Sequence, residues 1–371
     1  THVADTGLLL NGAMQLQFND ASQYINAPSN VILDINATDE IELNATLVDV
    51  NANLDVSGTL TLAGNADFNA NLDVNGGTIK LDGNYPVGTQ NVALGDGAAD
   101  ALTSGNYNVA VGHNAAGSLT SGSNSAMIGN AAGAATTTGG ANVAVGDIAL
   151  TSNTTGANNV AIGYASLLLN TTASFNTAVG YQAAYSNTTG ANLVAIGNAA
   201  MYTNTTASNS TAVGNSALYT SNASDNAAFG GASLQYNTTG TSNTGTGEGS
   251  LRFNTTGSSN TASGFRALYS NTTASYNTAV GYQAGYSNTT GVEMVALGYE
   301  ALYASTATGN TGLGYRSGRN TTGDDNTFLG AFSGFTNSSG SSNTAMGWNA
   351  LAQNTTASNN TAVGYQAAYT N

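Results

Sequence analysis

The chain has 371 residues and a formal net charge of −15, yet only 7% of its residues are charged. Its basic residues are Lys80, Arg252, Arg266, Arg316 and Arg319, too few to neutralise a phosphate backbone, which disfavours nucleic-acid binding. There is no cysteine, so neither a disulfide nor a thiolate metal site can form, and no apolar run reaches the ~18 residues of a transmembrane helix.

Residues 1–83 read as β-structure. Leu8–Leu9–Leu10 before Asn11–Gly12 suggests a strand and a turn, and Met14, Leu16 and Phe18 alternate with polar residues. From Val31 the alternation is clean. The segment from Asp49 to Gly58 returns from Asp67 to Gly76, an offset of 18. One face of each strand is apolar and the other carries Asp, Asn and Thr. A lone ribbon of this kind cannot bury its apolar face, so we expect an intertwined β stem, with a small independent sandwich as the alternative. Residues 84–90 read as a junction, because Pro86 cannot donate to a sheet ladder.

From 91 to 371 one unit repeats. Its form at Asn176–Asn192 is N-T-A-V-G-Y-Q-A-A-Y-S-N-T-T-G-A-N. The glycine of A-V-G marks the register from Gly95 to Gly364, and thirteen of sixteen intervals are 17 residues, the other three being 16. So short and regular a period means a solenoid, and the array contains no proline to interrupt continuous ladder bonding. Seventeen coils at ~4.8 Å per step make a rod of roughly 80 Å.

Positions counted from the marker glycine carry the physics. Ala or Ser stands at +3 in all 17 coils, which implies a narrow interior. The marker glycine suits a tight bend or a positive φ. Asn at −4 and +7 suits corners where amides stack as a ladder. Each coil has room for two strands of four to five residues and two corners. Apolar residues at −1 and Leu at +4 (Leu167, Leu218, Leu268, Leu302, Leu351) are expected to face partner chains. Three-fold packing of such stripes would give a homotrimer.

N-T-A-V-G-Y-Q-A, N-V-A-I-G-Y-A-S at Asn159–Ser166 and L-V-A-I-G-N-A-A at Leu193–Ala200 resemble the head repeats of trimeric autotransporter adhesins. That resemblance covers about 91–371 and implies a trimeric left-handed parallel β-roll, although the repeat here is longer by its N-T-T-G/A-S segment. The whole chain also resembles bacteriophage tail-fibre-like proteins, in which shafts of the V-D-V-N-A-N-L-D-V-S-G type precede such arrays. The resemblance implies an extracellular fibre subunit, a virion appendage attaching to a host or surface. Such fibres often carry a C-terminal folding chaperone that is cleaved off, and an end in mid-repeat at Asn371 is consistent with cleavage or truncation.

The candidate chemistry is sparse. His2 and His113 are the only histidines, and Glu248 with Asp225 is the one carboxylate pair worth weighing for glycan hydrolysis. No catalytic residue, cofactor or metal site is expected; Asp39–Glu40 and Asp324–Asp325 could take an adventitious cation. Aromatic residues recur at +1, including Tyr164, Tyr181, Tyr282, Tyr299, Tyr315, Trp348 and Tyr365, and again at +5. They read either as cross-coil stacks or as a platform for sugar rings. N-x-T/S sequons recur at Asn153, Asn170, Asn187, Asn204, Asn237, Asn254, Asn271, Asn288 and Asn354. These are either glycan acceptors or corner residues. The Thr pair beside them raises ice binding as a further alternative.

The expected function is therefore structural: a self-assembling extracellular fibre, possessing no reaction, that presents a repeated patch to a cell-surface glycan or receptor. A bacterial adhesin or glycosylated surface filament is the alternative on the same architecture. A fibre-borne glycan hydrolase and an ice-binding protein are the other readings.

Overall fold

A computed structural model describes His2–Val3, Gly7–Leu8, Leu16–Phe18, Asp20–Ser29 and Ile32–Asn36, then residue 88 and residues 90–370. The chain divides into two units, Thr1–Thr78 and Ile79–Asn371. In the first unit β1 (His2–Val3) and β2 (Gly7–Leu8) pair antiparallel. Strands β3 (Leu16–Phe18), β4 (Asp20–Ser29) and β5 (Ile32–Asn36) form an antiparallel sheet in that order. Pro28 lies within β4, beside a break in register between Asn26 and Ser29. The repeats expected from Asp49 to Gly76, the pair Asp39–Glu40, and Lys80 and Pro86 lie outside the described residues.

The second unit is a parallel β-solenoid. Seventeen three-residue strands, from β6 (Val92–Leu94) to β22 (Thr361–Val363), each pair in parallel with the equivalent strand of the next coil. The register is one repeat: Val160, Ala161 and Ile162 face Thr177, Ala178 and Val179. Each coil has this one short strand; the two longer strands expected from the repeat length are not formed. The reason is local. Positions +2, +4 and +12 take left-handed φ values, as at Ala165 (54°), Leu167 (48°) and Phe175 (62°). Such residues cannot continue a strand, so the rest of each coil is a chain of turns. Each costs roughly 1–2 kcal/mol in a non-glycine residue, which coil-to-coil hydrogen bonds must offset. Leu167 N–H, for example, donates to the carbonyl of Ala183 at 3.0 Å.

The marker glycine is required. At Gly180 φ is 138°, and a Cβ would sit on the carbonyl of Gly197 one coil away. All seventeen markers share this region, with φ between 117° and 140°.

The interior is as narrow as the invariant +3 residue implies. Position −2, the middle of each strand, points in together with +3, and both are buried, as at Ala161 and Ser166. Leucine at +4 points in as well: Leu167, Leu218, Leu268, Leu302 and Leu351 are all 0% exposed. This corrects the expectation that they face partner chains. The left-handed backbone at +4 turns the side chain into the coil, where it fills the space left by the small residues.

Volume is conserved within and between neighbouring coils, not per position. Where +4 is glycine, a large residue from elsewhere occupies the vacated space. A Cβ on Gly133 would strike Met127, one on Gly285 would strike Met294, and one on Gly318 or Gly334 would strike Phe328. Phe328, at −2 in place of Ala, is fully buried. Native-density packing explains the pairing, since an unfilled methylene-sized void already destabilises.

A compensation experiment follows. Phe328→Ala should destabilise the array by about 3–5 kcal/mol in chemical denaturation. Adding Gly334→Leu, which restores the residue pair of an ordinary coil, should recover at least half of that loss. Additive or worsened destabilisation in the double variant would contradict this account of the core.

Candidate functional site

Two features of the array bear chemistry: a pair of buried asparagine ladders and an aromatic face.

The ladders are internal. At −4, the Asn159 carboxamide oxygen accepts the Asn176 N–H at 3.0 Å, while its Nδ2 donates to the Ala173 carbonyl at 2.9 Å. At +7, Asn170 Nδ2 donates to Asn153 Oδ1 at 2.9 Å and to the same Ala173 carbonyl at 3.1 Å. Two buried amides thus hold one carbonyl in each full coil that carries both asparagines, as Asn260 and Asn271 hold that of Ala274. Backbone groups turned inward by the tight corners are satisfied without water.

The sequon asparagines are these +7 residues. Asn153, Asn170, Asn187, Asn204, Asn237, Asn254, Asn271, Asn288 and Asn354 are all buried. Each donates through Nδ2 to the +10 carbonyl of its own coil. A glycan on Nδ2 would replace one of its two hydrogens, costing one of these bonds, and needs room the interior lacks, so the folded array accommodates the corner role and disfavours the glycan role. The adjacent Thr at +8 is also engaged: Thr171 Oγ1 donates to the Thr188 carbonyl at 3.1 Å. Those hydroxyls are therefore not a free, water-ordering row.

The aromatic residues lie on the surface in two tracks. At +1, Tyr164 stacks on Tyr181 with centroids 5.3 Å apart, and Trp348 stacks on Tyr365 at 5.0 Å. Phe265, Tyr282, Tyr299 and Tyr315 form one continuous column with spacings of 5.4, 5.0 and 5.1 Å. At +5, Tyr185–Tyr202–Tyr219 and Tyr269–Tyr286–Tyr303 form two more. Cross-coil stacking is thus realised, and it changes what the rings can offer. Faces inside a column are covered by neighbouring rings, so edges and hydroxyls are what remain for a ligand. Trp348 follows Ala331 at +1, and a shallow recess of about 320 Å³ lies beside it, lined by Phe332, Phe335 and Tyr369 among others. The Tyr202 phenol is pushed above its ordinary value, by burial first and then by the phenols of Tyr185, Tyr219 and Tyr181, so it remains a neutral hydrogen-bonding group.

Repeat position reveals what residue type alone hides. Arg252 and Arg319 occupy +5, and Arg266 and Arg316 occupy +2, all beside the aromatic tracks. Their guanidinium carbons lie 4.7–5.9 Å from ring centroids, including Arg266 over Phe265 and Arg319 over Tyr303. Glu300, at +2 and 7% exposed, accepts from Arg316 Nε at 2.9 Å and Arg319 Nε at 2.8 Å through one oxygen. Burial pushes the Glu300 carboxyl up, but the hydrogen bonds and charges of Arg319 and Arg316 outweigh it, leaving the pKa below its ordinary value of 4.5. The sequence reading overlooked this cluster; counting each Arg from the marker glycine would have found it.

The remaining candidates do not converge. Glu248 stands at +1 and Asp225 at the corner preceding −4, on different sides of their coils. His113 belongs to a polar stretch of the +1 track: its Nδ1 lies 3.1 Å from Asn130 Oδ1, and Asn130 Nδ2 donates to Asp147 Oδ1 at 2.8 Å. Asp324 Oδ1 accepts the Thr308 N–H at 2.8 Å. Among the described residues no three His or acidic side chains gather as metal ligands, and no helix is long and apolar enough to cross a membrane. No family model and no curated protein matches the chain.

Two measurements test the site. Asn271→Ala should destabilise the array by about 1–3 kcal/mol, because buried partners on both neighbouring amides and the Ala274 carbonyl lose a hydrogen bond. The Glu300 contribution should depend on pH. Its folded pKa is lowered, so the stabilisation is complete above the unfolded value near 4.5 and is lost as pH falls through the folded value. The melting temperatures of the parent and Glu300→Gln should therefore differ at pH 7 and converge as pH falls through the lowered folded pKa.

Proposed function

We propose that this chain is the subunit of an extracellular fibre, a phage-type tail fibre that attaches to a host or surface. A repetitive β-solenoid is compatible with a structural, fibre-like protein, and the repeats resemble those of such fibres. The observation that carries the reading is the outer face of the strand ladder. Position −2 points inward, so −3 and −1 point outward, and −1 carries Leu94, Ile128, Ile162, Ile196, Phe229, Leu297 and Leu313, all exposed. The line is apolar in every coil but two, where Thr246 and Ser263 interrupt it, and so extended an apolar stripe is unusual on a soluble monomer. Covering it with two further copies closes the assembly and leaves the aromatic face outward. Identical coils then present the same patch many times, so that weak contacts add by avidity.

The same geometry would serve a bacterial adhesin or surface filament, a second reading supported by the adhesin-like A-V-G and A-I-G strands themselves. Neither reading assigns the chain a reaction, a cofactor or a nucleic-acid partner.

Light scattering of the native protein should give three times the 36.9 kDa chain mass. Ile162→Asp together with Leu297→Asp should shift that mass to the monomer while leaving the β-sheet circular dichroism intact. A monomeric parent would sink the assembly on which this reading rests.

A further inference from the structure

The +5 track between coils 247 and 314 is a closed motif. Arg252, Tyr269, Tyr286, Tyr303 and Arg319 follow one another along it, so three stacked rings are capped by an arginine at each end. Arg252 Nη1 donates to the Tyr269 hydroxyl at 3.2 Å, and the Arg319 guanidinium lies 4.7 Å from the Tyr303 centroid. The parallel +1 column from Phe265 to Tyr315 runs alongside it. Between the two, at +2, stand Arg266 and Arg316.

We infer that this two-lane face binds a linear acidic polysaccharide laid along the solenoid axis, its carboxylates on the two arginine pairs. This inference rests on the attachment reading above and names the chemistry that attachment would recognise.

Four points support it. First, the chain carries a net −15, yet all four of its arginines lie on this one face, against two carboxylates there, Glu248 and Glu300. Cations gathered on an otherwise acidic rod define where an anion can approach.

Second, the arginines are held ready. Glu300 binds Arg316 and Arg319 through Nε alone, and of their terminal nitrogens only Arg319 Nη1 has an acceptor among the described residues, Asn320 Oδ1 at 3.3 Å. Arg266 makes ring contacts and no hydrogen bond among the described residues. Guanidinium forks held against aromatic rings lose little freedom on taking up a carboxylate.

Third, the spacing fits. The two arginine pairs are four coil steps apart at most, about 19 Å at ~4.8 Å per step, and one step is close to the length of one pyranose unit. Fourth, the covered ring faces leave hydroxyls and edges, which suit hydrogen bonding to a sugar chain better than stacking on isolated rings. Four arginines on a rod of this net charge are too few for nucleic acid.

The test uses the full chain and oligogalacturonides of six to eight units. Calorimetry should show binding that weakens with salt and is lost when the same oligomers are methyl-esterified, which removes charge and keeps shape. Arg252→Gln with Arg266→Gln, distant from Glu300, should weaken binding about ten-fold or more with the melting temperature unchanged. Removing the other pair as Glu300→Gln, Arg316→Gln and Arg319→Gln avoids stranding a buried carboxylate and should do the same. Equal binding of the esterified oligomer, or single-stranded DNA binding as strongly, would overturn the inference; so would no binding of any polyuronate. In the last case a trimer that still attaches to cells would leave the fibre reading standing.

Discussion

Every coil hydrogen-bonds to the coil one repeat away, residue for equivalent residue, and this stacking is the constraint on which the array depends. A backbone group at one position can bond only if the same position in the next coil adopts the same conformation. The marker glycines follow from it, because a Cβ at any one of Gly95 to Gly347 would enter the backbone of the neighbouring marker. So do the left-handed turns at +2, +4 and +12, individually unfavourable for non-glycine residues and tolerated because each places an N–H against a carbonyl in an adjacent coil.

The three 16-residue coils show how far the constraint bends. Each loses one residue from the Thr–Thr corner, and in each the +7 Asn is replaced, by Ser221, Ser305 or Thr321. In the first, the Asn222 carboxamide oxygen takes the N–H groups of Thr205 and Thr206 at 3.2 and 3.1 Å, the place a Thr carbonyl fills in a full coil. The repair is incomplete: Asn204 Oδ1 and Thr321 Oγ1 are buried without a partner. The two consecutive short coils also hold the Glu300 cluster, with Glu300 in one and Arg316 and Arg319 in the next.

Because equivalent residues stack, each position around the coil becomes a line along the rod. Positions −2, +3 and +4 make the core, −4 and +7 the asparagine ladders, −3 and −1 the outer strand face, and +1, +2 and +5 the aromatic and arginine face. Stability and recognition are thereby separated in sequence. Changes at the outer lines alter what the rod meets, while changes at the inner lines alter whether it forms.

The sequence by itself determined the period and the all-β class, and it narrowed the marker glycine to a tight bend or a positive φ and the sequon asparagines to corner residues or glycan acceptors, because each follows from a residue type fixed at one position. It also determined where the tyrosines lie, since periodicity alone places them on tracks. Only the tertiary structure decided the direction of Leu167 and its equivalents, because the left-handed turn at +4 reverses the alternation a strand would impose. It alone decided that Phe328 fills the space of Gly318 and Gly334, a balance of volume that no single coil contains. And it alone decided that Glu300 joins Arg316 to Arg319, since residues 16 and 19 apart meet only when one coil lies upon the next.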